Sequence, residues 1–256
     1  MKISALAFVF GVFLTCGPLQ GQAPDTLSAE SVVSNDEVVV KKWHRTPTAK
    51  ALKPAIYLVG AGLFCTGRNE FFLNKYEVQE KRNEVLPEFS TDVDDYLQFA
   101  PIPAVYGLEL LGAEPKNNLA NRTILIIKSE VLMMAMVYPL KNLSKVLRPD
   151  DSNHHAFPSG HTAQAFTAAT LIHKEYGHLS PWYSIVAYTT ATSVGVFRVL
   201  NNKHWVSDVI AGAGVGILAT NLAYLTHQFK WGKQKKLTLL PAYSGGNFML
   251  AARIQL

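Results

Sequence analysis

The stretch FPSGHTAQAF at residues 157–166 places proline, serine, glycine and histidine directly before a run with helical character. A serine at a helix start, followed by glycine and by a histidine in the first turn, presents free backbone N–H groups and a proton donor to an anion. Taken alone, the stretch has a second interpretation, in which Ser159 is only an N-cap. The rest of the sequence has to decide between the two.

Six apolar stretches, each with the length of a core helix, follow residue 53. Charges or helix breakers such as Pro115, Pro149 and Pro181 separate them. After the first stretch, NEFFLNKYEVQEKRNEVL predicts a charged amphipathic helix on a surface. We therefore expect an all-α fold with a six-helix bundle as its core, built from residues 54–66, 100–113, 123–140, 162–173, 182–198 and 208–227.

The two ends of the sequence differ from this helical domain, which we place at residues 54–228. Residues 1–23 contain Lys2 and the apolar run ISALAFVFGVFLTC, which is typical of a cleaved signal peptide, with an uncleaved anchor as the alternative. Residues 24–53 indicate a polar linker. In the tail, residues 229–256, a basic segment precedes a sequence that alternates around SGGN at 244–247, and this predicts a small β-hairpin.

The composition limits the classes of partner. The chain has 256 residues, 48% of them hydrophobic, with a mean hydropathy of +0.10 and a net charge of +5. Its basic residues show no aromatic interleaving and no nucleic-acid motif, so they suit an anionic substrate or a lipid surface better than DNA. If the signal is removed, Cys65 is the only cysteine left, and no intramolecular disulfide can form.

Three short blocks contain the residues that point to chemistry. In the first, Lys141 precedes Arg148 by seven residues, so we expect both cations on one helix face, with Pro149 ending the helix. The second is PSGH at 158–161. In the third, FRVLNNKHWVSDV at 197–209, His204 and Asp208 are one helical turn apart, so the carboxylate can hold one imidazole nitrogen while the other faces outward.

Taken together and in this order, the three blocks resemble the type 2 phosphatidic acid phosphatase family. Its superfamily also contains bacterial class A acid phosphatases and vanadium haloperoxidases. The resemblance spans about residues 54–226. One position departs from it, because the family usually has a small residue before the arginine of the third block and this chain has Phe197. That difference bears on the pocket wall rather than on the catalytic residues.

The resemblance implies a role for each of these residues. His204 would be the nucleophile that forms a phosphohistidine, Asp208 would orient it, and His161 would protonate the leaving oxygen as general acid. Fixed cations would do the work that Mg²⁺ does in other phosphoryl-transfer enzymes, so neither a metal nor another cofactor is implied. The phosphoryl oxygens would be bound by Lys141, Arg148, Ser159, Gly160 and Arg198.

The implied activity is that of a metal-independent phosphatase acting on a phosphomonoester or pyrophosphate. The apolar helices beside the blocks favour a lipid-linked substrate, such as lipid A, undecaprenyl pyrophosphate or a phosphatidate-type lipid. A soluble periplasmic non-specific acid phosphatase acting on small phosphoesters is the alternative. A vanadium-dependent haloperoxidase and a catalytically inactive binding module are further, less favoured readings. His154 and His155 are expected to be exposed loop residues.

We expect an exported, periplasmic protein that is membrane-associated or partly embedded in the membrane. The last two apolar stretches could span a bilayer if tilted, but residues 54–66 and 162–173 are too short, and Lys128 and Glu130 interrupt the third stretch. The basic tail could rest on anionic lipid. The expected partners are the phosphorylated substrate and a membrane surface, with no nucleic acid and no obligate protein partner.

Overall fold

The computed structural model describes residues 50–67, 74–227, 236–244 and 247–255. The proposed signal peptide at 1–23 and residues 24–49 of the linker lie outside these ranges. Within them the chain forms eight helices and two terminal strands. The helices are α1 Leu52–Phe64, α2 Lys75–Val85, α3 Val93–Leu97, α4 Pro101–Leu110, α5 Leu119–Ser144, α6 Gly160–Tyr176, α7 Pro181–Leu200 and α8 Val206–Leu225, and the strands are β1 Lys236–Ser244 and β2 Asn247–Gln255.

Each apolar stretch of the sequence carries one of the longer helices. These are α1 and α4 to α8, while the charged stretch after α1 carries α2. The predicted all-helical character of residues 54–228 is therefore confirmed over their described part, although the short helix α3 was not foreseen. Strands β1 and β2 are antiparallel neighbours, with Lys236 opposite Gln255.

Helix α8 lies at the centre of the fold, packed against α1, α5 and α6. Its sequence AGAGVG at 211–216 lets α1 and α6 approach closely, because glycine has no side chain to hold them apart. A Cβ on Gly212 would lie 2.5 Å from the carbonyl oxygen of Ser159, and one on Gly214 would lie 2.7 Å from the backbone nitrogen of Val59. The N-terminal ends of α6 and α8 are thereby brought side by side.

The core has two main parts. In one, α6 packs against α4 and α7 through residues such as Leu171, Tyr176 and Val194. In the other, α5, α6 and α8 meet through Met133 and Val215, among other residues. Burial of these side chains supplies the main favourable free energy for holding the helices together.

Helix α5 ends earlier than its sequence predicts. It stops at Ser144, and Lys145 takes a left-handed backbone conformation with φ of 47°, which turns the chain away from the helix axis. Arg148 therefore lies beyond the helix, and the prediction that Lys141 and Arg148 share one helix face is wrong. Seven-residue spacing places two side chains on one face only if the helix continues through both.

Among the residues that the structure describes, two helices, α5 and α8, are long and apolar enough to cross a membrane by length and composition. They differ in their surroundings. Within the most apolar 18-residue window of each helix, 83% of the α8 residues but only 28% of the α5 residues are buried inside the protein. On α5 the exposed apolar side chains form a stripe at helical spacing, consisting of Ile127, Val131, Met134 and Tyr138.

Candidate active site

The loop between α5 and α6 holds Arg148 by backbone pairing. The N–H of Arg148 donates to the carbonyl of Asn153 at 3.0 Å, and the N–H of Ala156 donates to the carbonyl of Val146, also at 3.0 Å. The loop thus folds back on itself before it enters α6. This fold of the loop, and not helical periodicity, therefore sets the position of Arg148.

Lys141, in the last turn of α5, points toward the same loop. Its Nζ donates to the carbonyl of His155 at 2.7 Å. A Cβ placed on Gly160 would lie 3.8 Å from its Cε, so the lysine side chain passes beside the first residue of α6. His154 and His155 are themselves exposed, as expected for loop residues.

Ser159 caps α6 and also ties that helix to α8. Its Oγ accepts the backbone N–H of Thr162 at 3.4 Å and the hydroxyl of Thr162 at 2.9 Å. Its own backbone N–H donates to the carbonyl of Asp208 at 2.9 Å. The capping interpretation is therefore correct for Ser159. Gly160 and His161 follow it in the half-buried first turn of α6.

His204 is buried and lies beside Asp208, although not through helical spacing. Helix α8 begins at Val206, so His204 precedes it and Asp208 lies in its first turn. The imidazole Nδ1 is 3.5 Å from Asp208 Oδ2, an ionic contact that is longer than a normal hydrogen bond. Asp208 Oδ2 also accepts the backbone N–H of Trp205 at 2.9 Å, which fixes the carboxylate.

Arg198 is the buried cation at the end of α7. Its backbone carbonyl accepts the N–H groups of Lys203 at 3.1 Å and of His204 at 3.2 Å, so the arginine and the histidine are linked through the main chain. Its guanidinium Nη1 donates to Asp94 Oδ2 at 2.8 Å and more weakly to Asp95 Oδ1 at 3.4 Å.

Asp94 and Asp95 on α3 are functional candidates that the sequence reasoning missed. The only sequence signal is a pair of aspartates in TDVDDYL, between two apolar stretches. Asp94 is buried, and Asp95 Oδ1 lies 2.8 Å from Nε2 of His161. Their partners are at least 66 residues away in sequence, so local spacing could not have identified these contacts.

Helix α2 supports the loops of the first and third blocks. Gln79 donates to the carbonyl of Pro149 at 3.0 Å, and Arg82 Nε donates to the carbonyl of Leu200 at 2.7 Å. Lys75 lies 5.0 Å from the centre of the Trp205 ring. Lys75 and Arg82 are buried, so α2 is more than the surface helix that its charge predicts. Spacings of four and three residues place these side chains on one helix face, which is the signal that could have identified them.

The charges around His204 identify the side chains that converge on it. Its pKa lies well below the ordinary 6.5, first because the ring is buried, then because Lys141, Arg198 and Arg148 repel a further positive charge. The pKa of His161 is also lowered, by burial and then by Arg198. Lys141, Arg148, His161 and Arg198, which come from all three blocks, therefore act on one buried imidazole through their charges.

Two guanidinium groups in this cluster have buried atoms that lack hydrogen-bond partners. Within the ranges that the structure describes, Nε of Arg148 and Nε of Arg198 are buried and make no hydrogen bond. A buried donor without an acceptor is costly. Two such donors among several cations therefore favour an anionic ligand. The same ranges contain no group of three or more His, Cys, Asp or Glu residues arranged to hold a metal ion.

A comparison with protein families agrees with this geometry. Residues 123–232 match the family model described as the PAP2 superfamily. This segment of the chain is therefore similar to the PAP2 superfamily. It contains all three blocks, from Lys141 to Asp208, and the resemblance stated from those blocks is confirmed.

Similar proteins come from several bacteria. The chain is 33% identical over 215 residues to a lipid A 1-phosphatase of Porphyromonas gingivalis, a match that covers 80% of this chain and 46% of that protein. The chain thus spans about half the length of this relative.

Two solved structures are more distant. Aquifex aeolicus LpxE has a TM-score of 0.45 and 21% identity, with 60% of this chain and 97% of that chain covered. A transmembrane PAP2-type phosphatidylglycerolphosphate phosphatase from Bacillus subtilis has a TM-score of 0.38 and 19% identity, with 69% and 94% covered. Both are too distant to transfer residue roles to this chain.

Proposed function

We propose that this protein is a metal-independent phosphatase that removes phosphate from a lipid-linked phosphomonoester or pyrophosphate through a phosphohistidine intermediate. The observation that carries the proposal is the convergence of three cations on one buried imidazole that has a carboxylate behind it. Lys141, Arg148 and Arg198 all act on His204, and Asp208 lies 3.5 Å from its Nδ1. A tetrahedral phosphate dianion bound in this cluster would accept hydrogen bonds from the unpaired guanidinium N–H groups. It would also neutralise the excess positive charge.

In the first step, His204 attacks the phosphorus atom. Asp208 faces Nδ1, so Nε2 provides the electron pair that forms the P–N bond, and the carboxylate stabilises the imidazolium that results. The bond between phosphorus and the leaving oxygen breaks, and His161 gives that oxygen a proton. Lys141, Arg148 and Arg198 stabilise the charge on the other phosphoryl oxygens throughout.

In the second step, a water molecule hydrolyses the phosphohistidine. His161, now neutral, takes a proton from the water as the oxygen attacks phosphorus and the P–N bond breaks. Inorganic phosphate leaves, His204 regains its electron pair, and His161 is protonated again. The low pKa of His204 suits this cycle, because the free ring stays neutral and nucleophilic.

The exposed apolar surface supports a lipid-linked substrate. The stripe on α5 formed by Ile127, Val131, Met134 and Tyr138 runs toward Lys141, at the end of the same helix. Apolar side chains exposed in a contiguous row are typical of a surface that contacts lipid or another protein. A substrate whose chains lie along this stripe would present its phosphate near the cation cluster. The similarity to a lipid A 1-phosphatase favours the same substrate class.

The proposal includes an organisation for the whole chain. Helices α1 and α4 to α8 would form the six-helix catalytic bundle within residues 54–228, with residues 229–256 as a basic segment and hairpin. Residues 1–23 would act as an export signal, followed by a linker at 24–53. The site would then face the periplasm, with the bundle against or partly within the membrane.

Phosphate release from a panel of substrates tests this function. The panel for the detergent-purified protein contains lipid A, undecaprenyl pyrophosphate, phosphatidate and the small ester 4-nitrophenyl phosphate. We expect His204→Ala to lower kcat by roughly 10³-fold or more on every substrate that is turned over. His154→Ala is the matched control, because His154 is an exposed loop histidine, and it should keep wild-type activity.

The panel also separates the two candidate phosphatases. Higher kcat/KM on one or more lipids than on 4-nitrophenyl phosphate supports the lipid-linked assignment. Equal efficiency on both classes would instead support a non-specific acid phosphatase. Full activity of His204→Ala would contradict the phosphohistidine mechanism for either class.

A further inference from the structure

Asp95 contacts two of the proposed catalytic groups at once. Its Oδ1 lies 2.8 Å from Nε2 of His161 and 3.4 Å from Nη1 of Arg198. The side chain of Asp95 is 52% exposed and that of His161 is 30% exposed, so both face the open side of the site. The carboxylate therefore holds one ring nitrogen of His161 and leaves the other for a substrate's leaving group.

The short helix that carries Asp95 is fixed to α7, so this contact is held in place. The neighbouring Asp94 is buried and binds Arg198 Nη1 at 2.8 Å and Asn201 Nδ2 at 2.9 Å. Asn201 also exchanges two hydrogen bonds with the backbone of Thr91, at 2.8 Å and 2.9 Å. These bonds hold α3 against the end of α7, and the position of Asp95 follows from them.

We propose that Asp95 is a positioning residue that orients the imidazole of His161 and favours its protonated form. The inference rests on the proposed phosphatase function. Asp95 accepts the Nε2–H of His161, and Nδ1 makes no hydrogen bond within the described part of the chain. Nδ1 is then the atom that gives its proton to the leaving oxygen and later takes one from water. Throughout this exchange Nε2 keeps its proton and its bond to Asp95.

The other charges around His161 show why such a partner is needed. Burial and Arg198 both lower the pKa of His161, while Asp95 raises it through its hydrogen bond and its charge, and Asp94 raises it by charge alone. His204 also interacts with His161, and Lys141 passes beside Gly160. Without Asp95 the positive charges dominate, and less of His161 carries the proton that the leaving oxygen needs.

The test compares Asp95→Asn with Asp92→Asn by steady-state kinetics across pH. Asp92 is the matched control, because it lies three residues earlier, is exposed and loses the same charge. We expect Asp95→Asn to move the alkaline limb of kcat/KM down by about one pH unit. At pH values below the alkaline limbs of both the variant and the wild type, the rate of the variant should approach that of the wild type. Asp92→Asn should follow the wild-type profile throughout, and Asp95→Glu should recover part of the shift.

The leaving group provides a second readout that a merely structural role would not change. Phosphatidate has a poor leaving group that needs a proton, whereas 4-nitrophenyl phosphate has a good one. Above the alkaline limb, Asp95→Asn should lose roughly tenfold on phosphatidate and less than about threefold on 4-nitrophenyl phosphate.

The outcomes distinguish failure of the positioning role of Asp95 from failure of the proposed phosphatase function. An unshifted profile in Asp95→Asn overturns the positioning role and leaves the phosphatase function standing. An equal loss of activity at every pH and on both substrates, together with a lowered Tm, would show a structural role. That outcome also overturns the positioning role and leaves the phosphatase function standing. A wild-type protein without activity on the whole substrate panel refutes the proposed function, and this inference with it.

Discussion

Among single residues, His204 has the environment that a phosphorus nucleophile needs. It is buried, it is joined through the main chain to Arg198, and its Nδ1 faces a carboxylate. The carboxylate of Asp208 is itself held by the backbone N–H of Trp205. Orientation of the ring therefore depends on a few contacts at the start of α8.

Replacement of Asp208 by asparagine should separate chemistry from binding. The amide keeps the shape of the carboxylate but cannot stabilise the imidazolium that forms when His204 attacks. We expect kcat to fall by roughly 10²–10⁴-fold with KM changed by less than about threefold. Steady-state kinetics on the preferred substrate measures this. A rise in KM at unchanged kcat would assign Asp208 to substrate binding instead.

The pH profile should reflect the low pKa values of both histidines. His204 acts as the neutral ring, so its contribution is lost only as pH falls through a pKa well below 6.5. His161 acts protonated, so its contribution is lost as pH rises through its own lowered pKa. Burial raises the pKa of Asp208 to about 7, so the carboxylate behind His204 is lost as pH falls through that value. Because kcat/KM reports the free enzyme, we expect its maximum between the lowered pKa of His161 and about pH 7.

His161→Ala provides the control for this profile. In this variant, kcat/KM should no longer fall at alkaline pH through ionisation of the enzyme. Any alkaline change that remains should come from ionisation of the substrate. A maximum of kcat/KM at alkaline pH in the wild type would contradict the assigned roles.

Local sequence patterns named candidate site residues but did not predict how the chain places them. The order of the blocks pointed to His161, Arg198 and His204 together. The route of Arg148 could not be predicted, because it depends on a left-handed residue at Lys145, a conformation that lysine adopts only rarely. Asp95 was missed because its contacts connect α3 with residues far along the chain.

At the level of helices, the contact between α6 and α8 sets the geometry of the site. Gly212 lets α8 approach Ser159, whose N–H bonds to the carbonyl of Asp208. The cap of the helix that carries His161 and the carboxylate behind His204 are thus held by one close contact.

Gly212→Ala should separate these two helices. The added Cβ would lie 2.5 Å from the carbonyl oxygen of Ser159, which is backbone and cannot rotate away. We expect a loss of about 1–3 kcal/mol in the free energy of unfolding, with reduced phosphatase activity. Thermal unfolding in detergent measures the stability.

Gly107→Ala on α4 is the matched control, because its Cβ would have no neighbour within 4 Å. It should be neutral or slightly stabilising, since alanine favours a helix more than glycine does. Equal Tm values for Gly212→Ala and the wild type would show that α6 and α8 do not depend on this contact.

The positions of α1 and α4 to α8 could be predicted because each contains an apolar stretch between breakers or charges. The centrality of α8 could not, since the apolar runs are similar in character. Its distinguishing feature is the AGAGVG pattern, whose small residues allow α1 and α6 to approach closely. The role of α2 was likewise hidden, because buried Lys75 and Arg82 resemble the charges of a solvated surface.

At the scale of the whole molecule, the different burial of α5 and α8 indicates which surface of the protein would contact a membrane. Helix α8 is enclosed by its neighbours, whereas α5 exposes an apolar stripe. Burial of such a stripe in lipid removes apolar surface from water, which is favourable by about 25 cal/mol for each Å². The exposed stripe on α5 is therefore the feature that supports the proposal of a bundle partly embedded in the membrane.

Alkaline carbonate washing of membranes tests this placement. We expect the wild-type protein to stay with the membrane fraction. A variant carrying both Val131→Asp and Met134→Asp should be released in larger amount, because charges on the stripe oppose its burial in lipid. Complete release of the wild type would contradict insertion and indicate a peripheral protein.

The most direct test of the central claim is to trap the phosphorylated enzyme and locate the phosphate. The protein is mixed with ³²P-labelled substrate, quenched within one turnover, kept at alkaline pH to preserve phosphohistidine, and digested for peptide mapping. We predict a label that is lost in acid, lies on His204 and is absent from His204→Ala. Turnover without a labelled enzyme, or a label on any other residue, would contradict the account.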